Sequence, residues 1–334
     1  MESKYWLTLK ELDLFSDVTP LNSTTEKVIF FNELEKGNHY NPIFNYNKRN
    51  KGDLKKLNNA KKFLPKDEFI SVDYLDHYTE KEEWLECFTE RTSSLFSQKL
   101  SNLHPAPSEN DIIFAKKNLT NSLKFPDEEE QFTFSSNHAI EFFQSELEKN
   151  NYNWEIKVRD ISAKAMISSL TKELILRKNA KFSSTEIKRL IVHEIGTHVK
   201  RFENGCKQKF EIYKYGFKNY LEAEEGLAMY NENLHGLLSH KDLKKYSLRV
   251  IACSLAAKGS FSEVYKQIAS YTSKEEAWNI TLRVKRGLIN TASHGGFLKD
   301  QLYLNGYKKV SCLTKAQINS LWIGKIGINQ IAVQ

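Results

Sequence analysis

The apolar positions of this chain change their period twice. From 74 to 103 they recur at helical spacing (Tyr74, Tyr78, Trp84, Leu85, Phe88, Leu95, Phe96), and Pro105 and Pro107 then interrupt the pattern. A second helix is expected over about 108–123. A third should run from the Ser135-Ser136 cap to Lys149 with Ile140, Phe143 and Leu147 inward. Residues 1–50 show no such period and read as irregular to extended. After Asn150 the texture shifts. Trp154-Glu155-Ile156-Lys157-Val158 alternates apolar and polar residues, the pattern of a half-buried strand, and 163–168 and 173–177 are two further candidates. The helical period then returns. Ser183-Ser184-Thr185-Glu186 forms a capping box, with a hydroxyl and a glutamate placed to satisfy free amides, and it opens a helix that should end near Asn204-Gly205. Helices over about 218–236 and 241–257 follow, and capping boxes begin at Ser260, Ser273 and Thr314.

The helix from Ser183 carries the chemistry. Its segment Leu190-Ile191-Val192-His193-Glu194-Ile195-Gly196-Thr197-His198 sets two histidines around a glutamate. In the common zinc helix the histidines are four apart and share a face. Here they are five apart. At about 100° per residue, a five-residue step on a regular α-helix leaves the two imidazoles about 140° apart. A π-type turn over His193–His198 absorbs the extra residue, and Gly196, lacking a Cβ, tolerates the distortion. A catalytic zinc takes three protein ligands and keeps a fourth position open. Acids on the later segment Leu221–Leu234 supply the third: Glu222, Glu225 and Glu232 recur on one side of that helix. Glu225, 27 residues after His198, is preferred over Glu224 or Glu222. Glu194 then serves as base for the metal-activated water, and Glu224 or a backbone carbonyl orients a ligand imidazole. Helices, a small sheet, the histidine helix and more helices predict an α+β, zincin-like metallopeptidase, mostly helical with the small sheet preceding the metal-binding helix. The expected division is an N-terminal mostly helical region at 1–150 and a catalytic region at 151–334.

Composition removes other classes. No run of about 18 apolar residues exists, and the first residues carry early acids, so neither a membrane span nor a secretory signal is expected. The four cysteines are far apart with no CxxC pair, which points to free thiols in a cytoplasmic protein and away from a cysteine-built zinc site. A net charge of +7 arises from 49 basic against 42 acidic residues with no long basic block. Nucleic acid is therefore not expected as a partner, while an acidic peptide is compatible. The oligomeric state is not encoded in any of these features.

The same motifs resemble the tyrosine carboxypeptidase family, also known for its QEGLA motif. His193–His198 followed by Glu224-Glu225-Gly226-Leu227-Ala228 carries the likeness. So do His39–Tyr46, Tyr152–Ile156, Glu203–Gln208, Arg283–Gly287 and Phe297–Gly306, in the family's order from about 20 to 310. The resemblance implies a zinc metallocarboxypeptidase that removes a C-terminal aromatic, typically tyrosine, residue from a peptide or protein. Its metal motif falls on His193, His198 and Glu225, with Glu194 as base. The family's QEGLA is EEGLA here, which leaves the ligand position unchanged, and its TKD is Leu298-Lys299-Asp300. A carboxypeptidase must hold a free carboxylate, which suits arginine's planar fork. Arg283 and Arg286 are candidates, with Lys299 and Tyr303 next; Tyr303 is alternatively the oxyanion donor, and Arg283 and Arg286 alternatively form structural salt bridges. Asn41, Phe44 and Tyr46 either line the cleft or pack in the core. Competing functions are a zinc endopeptidase or aminopeptidase, and a non-catalytic zinc-containing binding protein.

Overall fold

The computed structural model describes residues 2–331, except Glu11, Asp13, Phe15, Thr92, Ser94, residues 126–130, Phe132 and Ser162. Helices α1 (Glu2–Lys10), α2 (Ser23–Glu35), α3 (Lys51–Ala60), α4 (Ser71–Thr89), α5 (Phe96–Leu103) and α6 (Glu109–Ser122) come first. The short strand β1 (Phe134–Ser135) leads into α7 (Ser136–Lys149), and β2 (Glu155–Arg159), β3 (Ala165–Ser168), β4 (Glu173–Arg177) and β5 (Lys181–Phe182) follow. Next, α8 (Ser184–Leu190), a π-helix (Ile191–Val199) and α9 (Lys200–Gly205) run on without a break. The chain continues through α10 (Ile212–Tyr215), α11 (Tyr220–Leu234), α12 (His240–Ala256), α13 (Phe261–Ala269), α14 (Lys274–Lys285), α15 (Leu302–Ser311) and α16 (Lys315–Leu321). The fold is α+β and mostly helical with small sheets.

These elements form two compact units, residues 1–124 with 244–301, and residues 125–243 with 302–334. The expected boundary at 150 is therefore not where the units divide. The change of texture at Asn150 marks the start of a sheet: Ala139, Phe143 and Leu147 of α7 share one core with Trp154 of the following strand region and Leu174 and Leu176 of β4. A solvent-facing break between α7 and β2 would expose that apolar stripe, so the two stay together.

The first unit departs from the sequence-based reading at its start. Residues expected to be irregular form α1 and α2. Each is anchored by tertiary contacts in place of a regular apolar face. Tyr5 and Trp6 of α1 are buried against Tyr74 and His77 of α4. Phe30 of α2 sits 5.2 Å from Phe261 and 4.7 Å from Tyr265, ring centre to ring centre. The long helix expected over 74–103 is divided into α4 and α5.

In the second unit β4 is the central strand of a three-stranded sheet ordered β2-β4-β3, parallel to β2 and antiparallel to β3. Its Leu174, Ile175 and Leu176 are all buried, as a strand covered on both faces requires. β1 pairs antiparallel with β5, which delivers the chain to Ser183. There the Ser183 hydroxyl accepts from the Glu186 amide at 3.0 Å. The reciprocal half of the expected capping box is replaced by an ion pair between Glu186 and Lys164. Farther on, α11 packs on α15 backbone to backbone. A Cβ at Gly226 would overlap the Gly306 carbonyl group, and one at Gly306 would overlap the Glu222 oxygen. The glycines of the EEGLA and YLNG segments thus meet, and no other residue fits at either side.

Candidate metal centre

The five-residue spacing of His193 and His198 is resolved by the backbone. Ile191–Val199 is π-helical over nine residues, a longer stretch than the single turn expected. An i to i+5 hydrogen-bond repeat brings side chains five apart to nearly one face, as the α-helix does for four. Thr197 reinforces the wider turn, its hydroxyl donating to the Val192 carbonyl at 3.0 Å. From α11, the Asn231 amide donates to the Gly196 carbonyl at 3.2 Å and to the Thr197 hydroxyl at 3.0 Å. Gly196 has no positive φ, and a Cβ there would make only ordinary contacts. Gly196 is thus tolerated in the wider turn without being required by it, and the bulge is held by side chains from α11 and from within the turn.

The two imidazole rings stand 4.8 Å apart, centre to centre, at 83°. Glu225 lies across from both. Its Oε2 is 3.5 Å from His193 Nε2 and 3.8 Å from His198 Nε2. One ligating atom from each of the three residues falls within 4.8 Å of the others. Metal bonds of about 2.0–2.1 Å at tetrahedral angles would set such atoms about 3.3 Å apart. The Glu225 separations of 3.5 and 3.8 Å are slightly wider than that. Glu222, the other acid weighed for this place, is occupied elsewhere, accepting from Lys309 at 2.7 Å.

What fixes the donors is a second ring of charge. His193 Nδ1 is 2.7 Å from Glu232 Oε1, and Glu232 also accepts from Arg189 Nη1 at 3.0 Å. His198 Nδ1 is 2.9 Å from Glu224 Oε1. With each Nδ1 hydrogen donated to a carboxylate, each Nε2 lone pair is left facing Glu225. Glu224 is in turn paired with Arg201 and lies 3.5 Å from Lys325 Nζ. Burial alone would raise the Glu224 pKa, but Arg201 and Lys325 hold the carboxyl well below the usual carboxylate range. Burial would likewise lower the His193 pKa. Its bonds to Glu225 and Glu232 outweigh that and push it up to about 10, the signature of a site that attracts positive charge. Glu194, between the two histidines in sequence, is buried and makes no hydrogen bond or salt bridge among the described residues. Burial pushes its pKa up, against the pull of His193 and His198.

The remaining sequence candidates are placed as follows. Tyr303 is half-buried in the first turn of α15, within the same unit as the histidines. Arg283, Arg286 and Lys299 belong to the other unit. Arg283 pairs there with the buried Asp300 through two nitrogens, and Arg249 and Arg286 approach the same carboxylate at 3.7 and 3.9 Å. Asn41 caps the start of α13, its Oδ1 accepting from the Ser262 amide at 2.9 Å. Phe44 is fully buried, and Tyr46 accepts from the Gly287 amide at 2.7 Å, so that segment is core. Sequence reasoning noted Glu232 only as one acid among three and gave no role to Arg189, Arg201 or Lys325. The seven-residue step from Glu225 to Glu232 was the available signal for the first; the others required the fold.

The family model described as microtubule-associated tyrosine carboxypeptidase matches residues 30–333 of this chain. The chain is similar to microtubule-associated tyrosine carboxypeptidase 1 of Mus musculus, 34% identical over 128 residues, covering 36% of this chain and 27% of that protein. The Rattus norvegicus and Homo sapiens proteins of that name are 33% and 32% identical over 128 residues, with 36% of this chain and 26% of each relative covered. The matched stretch thus spans about a quarter of each relative's length.

Proposed function

We propose that this chain, which belongs to the microtubule-associated tyrosine carboxypeptidase family, is a zinc-dependent carboxypeptidase removing a C-terminal tyrosine or similar aromatic residue from a peptide or protein. The observation that carries the reading is the convergence of His193 Nε2, His198 Nε2 and a Glu225 oxygen, with both Nδ1 atoms engaged by carboxylates. Two nitrogens and one carboxylate oxygen are the donor set of a catalytic zinc with one position open, in a zincin-like arrangement of helix and later helix.

When bound, zinc would polarise the scissile carbonyl and acidify an attacking water. The chain's own residues do the rest. Glu194 has no salt bridge to neutralise it and a pKa raised by burial, so it can take the water's proton and return it to the leaving amine. Glu232 and Glu224 keep the imidazoles in the tautomer that presents Nε2. A purely structural site has no use for a free base at Glu194, which disfavours a non-catalytic zinc protein. Among the described residues no helix is long and apolar enough to cross a membrane. An acidic protein tail is a compatible substrate for a chain of net charge +7.

The test is mass spectrometry of peptides ending in Tyr, Phe, Leu or Lys after incubation with the purified protein. Loss of one terminal Tyr or Phe, abolished by chelator and by amidating the peptide end, is the expected result. Equal cleavage of amidated peptides would identify an endopeptidase or aminopeptidase instead.

A further inference from the structure

The stretch that follows α16 lies beyond every motif used so far, yet it reaches the metal centre. Arg201, one turn after His198, is fully buried. Its Nε donates to the carbonyls of Leu321 at 3.0 Å and Gly324 at 2.9 Å, and its Nη2 to that of Ile326 at 2.7 Å. Its Nη1 pairs with Glu224, the carboxylate that holds His198 Nδ1. Lys325 comes from the same stretch and is also buried. Its Nζ donates to the Ser169 hydroxyl at 2.7 Å and stands 3.5 Å from Glu224 Oε1, the oxygen bonded to His198. The backbone there is tied down as well: the Phe217 amide donates to the Lys325 carbonyl at 3.1 Å, and the Asn204 side chain to that of Trp322 at 2.8 Å.

Two buried cations against one carboxylate are more than neutralisation requires, and burying each is unfavourable unless its geometry is used. All three nitrogens of the Arg201 guanidinium are engaged here, with three backbone acceptors and a carboxylate around it. Glu224 is thereby fixed from one side by Arg201 and from the other by Lys325, and it has one direction left in which to hold an imidazole. Orienting partners of this kind commonly change metal affinity about 10–100-fold when removed.

We propose that Arg201 and Lys325 are positioning residues for His198, so that the stretch 321–327 supports the metal centre and its order is coupled to metal occupancy. The inference rests on the metal reading above, and its test separates the two. Zinc affinity is measured by competition with a chelating dye for the natural chain, Lys325→Met and Arg201→Lys. Hydrogen exchange of the natural chain is followed with and without zinc. One zinc per natural chain, lost in His193→Ala, supports the metal reading by itself. The coupling then predicts about 10–100-fold weaker zinc in both variants, and zinc-dependent slowing of exchange in 321–327 with none in α13. Lys325→Met keeps a side chain of similar length without the buried charge; should Arg201→Lys fail to fold, Lys325→Met and the exchange data decide. Unchanged affinity in a folded Lys325→Met, with exchange in 321–327 indifferent to zinc, overturns the coupling and leaves these cations a purely structural role. A natural chain that takes up no zinc overturns both readings.

Discussion

Each unit of the molecule buries a cluster of charge, and the two are built in opposite senses. Around Asp300, the guanidiniums of Arg283, Arg249 and Arg286 converge on a single carboxylate. Around Glu225, two imidazole nitrogens and a carboxylate oxygen converge on one another, each histidine's other nitrogen being engaged by a carboxylate. In the first cluster donors point at acceptors. Burial would raise the Asp300 pKa, but Arg283 and Arg249 hold it well below the carboxylate range. In the second, acceptors point at acceptors, an arrangement that is unfavourable until a positive species enters. Accordingly Glu225 and Glu232 push the His193 pKa up to about 10, against the effect of burial. The lesson is that burial and density of charge do not distinguish a site from a strut; the direction of the lone pairs does.

Substitutions can break this contrast. The largest effect is expected from Glu194→Gln, which should lower kcat about 10²–10⁴-fold on a tyrosine-ended peptide while zinc content by atomic absorption stays unchanged. His193→Ala and Asp300→Ala should then separate cleanly. The first abolishes stoichiometric zinc. The second keeps it and destabilises the fold by about 3–5 kcal/mol in urea unfolding, because uncompensated guanidiniums stay buried. Equal zinc loss in both would erase the distinction.

Smaller effects sharpen it. Because the metal must displace a proton from a His193 whose metal-free pKa is about 10, zinc affinity should fall about tenfold for each unit of pH lowered from about 8 to about 6. A flat profile in dye competition would show that zinc displaces no proton from His193 in this range. Gly306→Ala should push α15 from α11, lowering stability by about 1–3 kcal/mol and weakening zinc through Glu225. Gly196→Ala should do the reverse, raising stability by about 0.5–1 kcal/mol with zinc and activity retained, since its Cβ has ordinary space.

Much of the second unit was legible because its signals are local. The five-residue step from His193 to His198 requires a wider turn, and the backbone supplies one. The sequence alternates apolar and polar residues where β2 forms, and the candidate strands at 163–168 and 173–177 hold β3 and β4. Ser260 and Thr314 cap helices with full boxes, as their sequences indicate. The illegible parts depend on distant partners. Helices α1 and α2 lack a regular apolar face and are held by a few aromatic contacts from α4, α13 and α14. Glu224 is legible in the sequence as a candidate to orient a ligand imidazole, but what holds Glu224 itself is not. The fold shows that Glu224 is the partner of His198 and the focus of Arg201 and Lys325, the latter 101 residues later in the chain. No periodicity reports a cation brought in from that far away.

The most direct measurement is anomalous diffraction at the zinc edge from crystals grown with excess zinc. The account requires one peak, at about 2.0–2.1 Å from His193 Nε2 and His198 Nε2 and bonded to a Glu225 oxygen. Zinc bound through Nδ1, zinc placed elsewhere, or no ordered zinc beside these residues would contradict it.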